Sequence, residues 1–225
     1  MSIPFANCCR SDLANKIWRR AMIKNIVFDM GQVFVDFNPD YFIGHYVTDR
    51  EDALLLRTEL FGKSEWVEMD LGTMTEEDLV QPVCARLPER LHFAVKELLL
   101  HWQDYMKVFH NLDPLVAELK QNGYSLYLLS NASVSIHKFT KKIMALQYFD
   151  GTFFSADVHY IKPDPNIYRL FFEKFSLRPE ECFFTDDRAD NVEAGRRLGM
   201  EGFVYKGEEQ PLRDTLRRAG VSLKP

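Results

Sequence analysis

The chain has 225 residues and a formal net charge of −5, with 46% hydrophobic and 27% charged residues. That balance is ordinary for a globular protein with a sizeable core, and it sets aside electrostatic attraction to nucleic acid or to an anionic membrane. No apolar run approaches the ~18 residues of a membrane span, and the four cysteines, Cys8, Cys9, Cys84 and Cys182, have neither metal-ligand spacing nor the density of a disulfide framework, so a reducing cytoplasmic setting is expected.

The first segment carries Arg10, Lys16, Arg19 and Arg20 without the apolar core of a signal peptide. MIKNIVFDM, from Met22, makes a natural beginning because a strand follows at once. Residues 1–21 therefore read as an extension, the alternative being a short helix around Leu13–Ala21. Residues 23–35 read as a strand and a turn: the buried run Ile26-Val27-Phe28 delivers Asp29, and Gly31 follows two residues later. From about Tyr41 to Phe109 the pattern is helical. Leu54–Leu56 lead to Leu60 and Phe61. Gly72 ends one helix, and Thr75 caps the next with Asp78 three residues on. Pro88 breaks that helix, and ERLHFAVKELLLHWQDYM resumes helical spacing.

From Leu112 onward strands and helices alternate. DPLVAELKQNG is a helix between Pro114 and Gly123, and YSLYLLSN is a strand. Val134–Leu146 reads as a helix, FDGTFFSAD holds a short strand, and PNIYRLFFEKFS is a helix. ECFFTDD is a strand, NVEAGRRLGM a helix ending at Gly199, and EGFVYK a strand. Such alternation predicts an α/β fold, a doubly wound parallel sheet with helices on both faces. The organisation is then a core of residues 22–36 and 111–225, with an all-helical insert at 37–110 after the first strand.

In a sheet of this kind the site lies at the carboxyl ends of the strands. The strand ends here carry Asp29, then Ser130-Asn131, then Thr185-Asp186-Asp187 with Asp190-Asn191 beyond, and Lys162-Pro163 precedes a helix. Taken singly, each is ordinary: an Asp after a strand usually caps or turns, Ser-Asn is a common turn, and Asp190 or Asn191 is simplest as a helix N-cap. Two adjacent acids after an apolar strand are harder to dismiss, since they repel unless a cation or solvent separates them. Together they describe clustered carboxylates without His or Cys, which suit a hard cation, Mg²⁺ best. Lys162 and Ser130 are placed to hold phosphate oxygens, and Asp29 could attack phosphorus to give an aspartyl-phosphate.

The motifs VFDMGQVFVDF (27–37), LLSNA (128–132), IKPDPNIY (161–168) and FFTDDRADNVEAG (183–195) occur in order. In this the chain resembles the haloacid dehalogenase superfamily, in its phosphatase branch with a helical cap, over about residues 22–206. The resemblance implies a Rossmann-like core, with Asp29 as nucleophile and metal ligand and the Gly31 backbone carbonyl as a second ligand. It implies that Asp186 is an acidic ligand, Asp187 a ligand or a neighbour of one, and Asp190 a supporting acid. Ser130, Asn131, Ala132 and Lys162 would bind phosphate, Mg²⁺ would be the cofactor, and a small phosphorylated metabolite the substrate, in a monomer or homodimer.

Gly31 departs from the family pattern. The phosphatases usually carry a second Asp there, which protonates the leaving oxygen and later activates water, a role typically worth ~10²–10⁴-fold. Three explanations stand. The cap could supply the acid, with Glu65, Glu68, Asp70, His45 and Gln32 as unranked candidates. The substrate could have a good leaving group, as an anomeric sugar phosphate does; a subgroup reading FDxGxV, which includes glucose-1-phosphatase-type enzymes, resembles this sequence and supports that option by analogy. Or the protein could be a catalytically silent binding relative. A 2-haloacid dehalogenase also lacks the second Asp but needs no metal, and Asp186 and Asp187 argue against it. Trp66 and Met69 in the insert read first as cap core and second as a substrate lip, and the acids around them as a solvated face.

Overall fold

The computed structural model describes residues 22–224, so the readings of residues 1–21, with Cys8 and Cys9, lie outside the described residues. Among the described residues there are seven strands: β1 (Asn25–Phe28), β2 (Val35–Asp36), β3 (Lys107–Val108), β4 (Ser125–Ser130), β5 (Gly151–Phe154), β6 (Cys182–Asp186) and β7 (Glu201–Val204). Five of them form one sheet in the order β5-β4-β1-β6-β7, and every pairing in it is parallel. The α/β doubly wound architecture expected from the alternation is therefore what forms.

Alternate side chains of β1 go to opposite faces. Ile26 and Phe28 pack with Leu115 and Leu119 of α6 (Asp113–Gln121) and Leu212 and Leu216 of α10 (Glu209–Arg218). Val27 packs with Ile167, Tyr168 and Phe171 of α8 (Pro165–Phe175), beside α9 (Ala189–Arg197). Both faces of β1 are covered, which is why the run Ile26-Val27-Phe28 is continuously apolar.

Between β2 and β3 lie five helices: α1 (Pro39–Ile43), α2 (Arg50–Leu56), α3 (Ser64–Asp70), α4 (Glu76–Arg86) and α5 (His92–His101). A π-helical turn, Arg57–Phe61, extends α2. An aromatic cluster joins them: Phe61 to Trp66 at 4.6 Å between ring centroids, Phe37 to Trp102 at 5.6 Å and Phe37 to Trp66 at 5.7 Å. Thr75 caps α4 with the reciprocal Thr75–Asp78 bonding that its spacing predicts. The chain enters and leaves this helical segment through the antiparallel β2–β3 pair, which is too short to show in the sequence pattern.

The predicted helix over Val134–Leu146 is broken. Only α7 (Ile136–Phe139) is α-helical; 3₁₀ turns follow at Thr140–Lys142 and Met144–Tyr148, with Ile143 extended between them. Ile136, Phe139 and Ile143 are all buried, so the helical spacing reports burial correctly while the β-branched Ile143 takes an extended backbone. Neither Asp190 nor Asn191 caps α9. Arg188 is the capping residue, and Asp190 lies in the first turn, ion-paired to Arg188 at 2.6 Å.

The end of α3 docks on the core through three contacts. Gly72 has φ +68°, and a Cβ there would lie 2.4 Å from the Ala156 carbonyl oxygen. The Ser155 hydroxyl donates to the Asp70 carbonyl at 2.5 Å, and the His159 ring bonds the Leu71 carbonyl at 2.7 Å. Gly72→Ala should therefore cost more than the ~1–2 kcal/mol of a left-handed residue alone, lowering the melting temperature by about 4 °C or more in a thermal scan. A melting temperature within about 1 °C of wild type would contradict this close approach.

Candidate active site

β1 pairs with β4 and β6 so that Phe28 sits beside Leu128 on one side and Thr185 on the other. The next residues of the three strands are Asp29, Leu129 and Asp186, and the Asp29 N–H still donates to the Thr185 carbonyl at 2.8 Å. The parallel register alone thus brings the carboxylates of Asp29 and Asp186 to one edge. The Lys162 ammonium donates to Asp29 Oδ1 at 2.7 Å, to Asp186 Oδ2 at 2.6 Å and to the Leu129 carbonyl at 2.8 Å. All three donors of the lysine are used, and Lys162, Asp29 and Asp186 are 3%, 7% and 0% exposed.

Asp187 completes the acidic group: one oxygen from each of Asp29, Asp186 and Asp187 lies within 4.8 Å of the others. Burial pushes the Asp29 carboxyl up to about 6, against the pull of Lys162 and with the help of Asp186. Burial also raises Asp187, and the charge of Asp186 adds to it. Burial works against the Lys162 charge, but Asp186 and Asp29 outweigh it and hold the ammonium above the ordinary lysine value. Three carboxylates share one ammonium, and the excess negative charge calls for a cation.

Asn191 supports Asp186 by donating to both its oxygens at 3.1 Å. Its own Oδ1 is buried and without a partner among the described residues. The sequence offered Asn191 only as a helix cap; its position in the first turn of α9, five residues after Asp186, is the signal for this second role. Asp190 points elsewhere, to Arg188.

The expected phosphate residues divide. Asp29, Gly31, Ser130, Asn131, Ala132, Lys162 and Asp187 all line one cavity of about 240 Å³. Asn131, however, spends its side chain on Lys162, accepting from its backbone N–H at 2.7 Å and donating to its carbonyl at 2.9 Å. The Ala132 N–H is given to Ser155 Oγ at 2.9 Å. These two residues fix the loops that carry Ser130 and Lys162. Gly31 lies outside the left-handed region, and a Cβ on it would meet only Asp29 Oδ2, at an ordinary 3.8 Å. The backbone does not demand glycine there, so the missing carboxyl is a chemical choice.

The far wall of the cavity comes from the helical segment and its neck: Phe37, Trp66, Asp70, Trp102 and Met106, with Ile136 from α7. Trp66 is therefore both cluster core and cavity lip, whereas Met69 is wholly core, 1% exposed. Of the acid candidates, Glu65 is ion-paired to Arg86 at 2.8 Å, Glu68 accepts from Thr73 at 2.5 Å and the His45 ring is bonded to the Tyr41 carbonyl at 2.8 Å. None of these three lines the cavity. Gln32 lines it but donates its amide to Phe37 at 2.9 Å. Asp70, expected on a solvated face, instead faces the cavity.

Asp70 is raised to about 7 by burial first and then by the charges of Asp29 and Glu76, with Lys162 opposing. The folded protein thus keeps the Asp70 proton to about pH 7, while an unfolded chain releases it near the ordinary aspartate value of 3.8. The folded state binds more protons across that window, so this residue's contribution to stability falls as pH rises. In EDTA, the melting temperature of Asp70→Asn relative to wild type should climb by a few °C between about pH 5 and about pH 8, then level. A difference that stays flat, or shrinks, would contradict a buried Asp70 facing like charge.

Residues 23–199 match the haloacid dehalogenase-like hydrolase family. A D-ribitol-5-phosphate phosphatase of Bacteroides thetaiotaomicron is 26% identical, covering 81% of this chain and 91% of its own length. A sesquiterpene phosphatase of Aspergillus oryzae is 24% identical, covering 80% and 88%. Among solved structures, a HAD family enzyme of Bacteroides thetaiotaomicron in complex with magnesium and inorganic phosphate superposes with a TM-score of 0.63 at 20% identity, covering 84% of this chain and 96% of that one. The L-2-haloacid dehalogenase of Xanthobacter autotrophicus superposes at 0.60 and 16% identity, covering 88% and 84%, and shows the shared fold. With the family matched across most of its length and the acidic edge of the sheet in place, the chain belongs to the haloacid dehalogenase-like hydrolases.

Proposed function

We propose that the chain is a Mg²⁺-dependent phosphatase that hydrolyses a small phosphorylated metabolite, of the sugar-phosphate class, through an aspartyl-phosphate on Asp29. The observation that carries this reading is the Lys162 ammonium held between Asp29 and Asp186. A carboxylate that must approach a phosphate needs nearby positive charge, and the lysine supplies the permanent part of it. Ser130 binds a phosphate oxygen, and Lys162 reaches one by exchanging one of its carboxylate bonds for it, while Asn131 and Ala132 hold their loops. Phosphatase names among the relatives support the class of reaction.

The acidic group fits the metal. Its donors are all carboxylates, which suit a hard cation. The orphaned Asn191 Oδ1 is an acceptor that a water of a hydrated cation would satisfy. Asp29, Asp186 and Asp187 would hold the ion, with the Gly31 carbonyl as the family resemblance implies; when bound, it neutralises charge on the transferring phosphate.

The helical segment 37–110 acts as the cap. Its aromatic wall of Phe37, Trp66 and Trp102 excludes water and gives the organic part of the substrate an apolar surface. A cavity of about 240 Å³ suits a small metabolite rather than a polymer.

The test is phosphate release from a panel of metabolites, anomeric sugar phosphates beside ordinary alkyl esters, in Mg²⁺ and in EDTA. Turnover is expected in Mg²⁺, with loss of at least ~10³-fold in Asp29→Asn, as for removal of a covalent nucleophile. Equal turnover by Asp29→Asn, or full activity in EDTA, would overturn the proposal.

A further inference from the structure

We propose that Asp70, at the end of α3, is the general acid and base of this reaction and replaces the carboxyl that Gly31 lacks. The inference rests on the phosphatase reading and adds to it a residue that lines the nucleophile's cavity from the helical segment.

Placement comes first. Asp70 lines the same cavity as Asp29, Ser130 and Lys162, and it enters from the helical segment. It is the one carboxyl from that segment to do so among the described residues. The acids near it are occupied: Glu65 by Arg86, Glu68 by Thr73, and Glu76 by the hydroxyls of Ser133 and Ser135. The Asp70 side chain makes no hydrogen bond or ion pair among the described residues, so no structural task accounts for it. Its backbone, in contrast, is tied down on the core by Ser155 Oγ at 2.5 Å, and Gly72 fits against Ala156 just beyond it. A free carboxyl on a fixed backbone is how a proton donor is held ready.

Electrostatics agree. The charged groups acting on Asp70 are Asp29 and Glu76, which favour its protonated form, and Lys162, which opposes it. A carboxylic acid kept protonated near neutral pH can donate.

The chemistry balances without a further reactant. As an Asp29 carboxylate oxygen bonds to phosphorus, the bond from phosphorus to the leaving oxygen breaks, and the Asp70 proton passes to that oxygen. Asp70 is left as a carboxylate. It then takes a proton from water as the water oxygen bonds to phosphorus, the bond to Asp29 breaks, phosphate leaves and the Asp70 acid is restored.

The test is single-turnover release of the leaving group in Mg²⁺, comparing wild type with Asp70→Asn on two esters. One is the alkyl phosphate turned over fastest in the metabolite panel. The other is p-nitrophenyl phosphate, whose phenolate departs without a proton. Release of the alcohol should fall by ~10²–10⁴-fold in the variant, and release of nitrophenolate by less than ~10-fold, which also reports an intact fold. Equal losses on both esters, or a raised KM with unchanged release, would overturn the assignment and leave Asp70 a substrate-positioning residue. A wild type that cleaves the nitrophenyl ester and no alkyl ester would overturn it too. A wild type that cleaves neither overturns the phosphatase reading, and the assignment with it.

Discussion

A buried ammonium shared by two carboxylates is the constraint from which the rest of the site follows. Lys162 is 3% exposed and spends every donor on Asp29, Asp186 and the Leu129 carbonyl. Removing such charges from water costs several kcal/mol per ion, and the pairing recovers this only when the geometry is good and the remaining valences are filled. The fold supplies that geometry from four places. β1 and β6 run parallel in register, β4 presents the accepting Leu129 carbonyl one residue before its end, Asn131 clamps the backbone on either side of the lysine, and Asn191 donates to Asp186 from α9. The arrangement still leaves more negative charge than positive, with Asp187 as the surplus acid. That surplus suits a cation, and in the proposed function the cation and Lys162 together would offset an anionic substrate.

In the proposed reaction, proton transfer is placed apart from this centre. Gly31 has room for a Cβ and no backbone reason to be glycine, while Asp70 approaches the same cavity from the helical segment. With the acid on the helical segment, as proposed, proton transfer would depend on the docking of that segment. The Ser155, His159 and Gly72 contacts are then part of the catalytic geometry and not only of stability. The same segment supplies Trp66 and Trp102 to the cavity wall, so it combines recognition with proton delivery.

Much of this was legible in the sequence. Alternation of strands and helices gave the sheet, because the runs 26–28 of β1 and 182–184 of β6 are buried on both faces and therefore apolar. The strand-end rule gathered Asp29, Ser130, Asp186 and Asp187, since a parallel register places successive carboxyl ends side by side. The insert was visible as a change to helical spacing. What stayed hidden was set by contacts distant in sequence. Asn131 and Ala132 read as phosphate ligands because their loop lies at the site, yet their polar atoms are taken by Lys162 and Ser155. Asp70 sits among acids that face solvent or pair with arginine, and only the docking of α3 turns it inward. The β2–β3 neck is two residues a side, below any periodicity, and Ile143 breaks a helix whose apolar spacing is intact.

The central claim is that this edge of the sheet receives a phosphoryl group and a divalent cation together, with Asp29 as the attachment point. Thermal denaturation with Mg²⁺ and beryllium fluoride, a mimic that attaches to a carboxylate as a phosphoryl group does, tests it most directly. At about 100-fold over the dissociation constant, ligand binding stabilises by about 2.7 kcal/mol, so the melting temperature should rise by about 5 °C or more when both are present. Neither alone should match it, and Asp29→Asn should abolish the joint effect. No joint shift in the wild type, or an equal one in Asp29→Asn, would contradict the account.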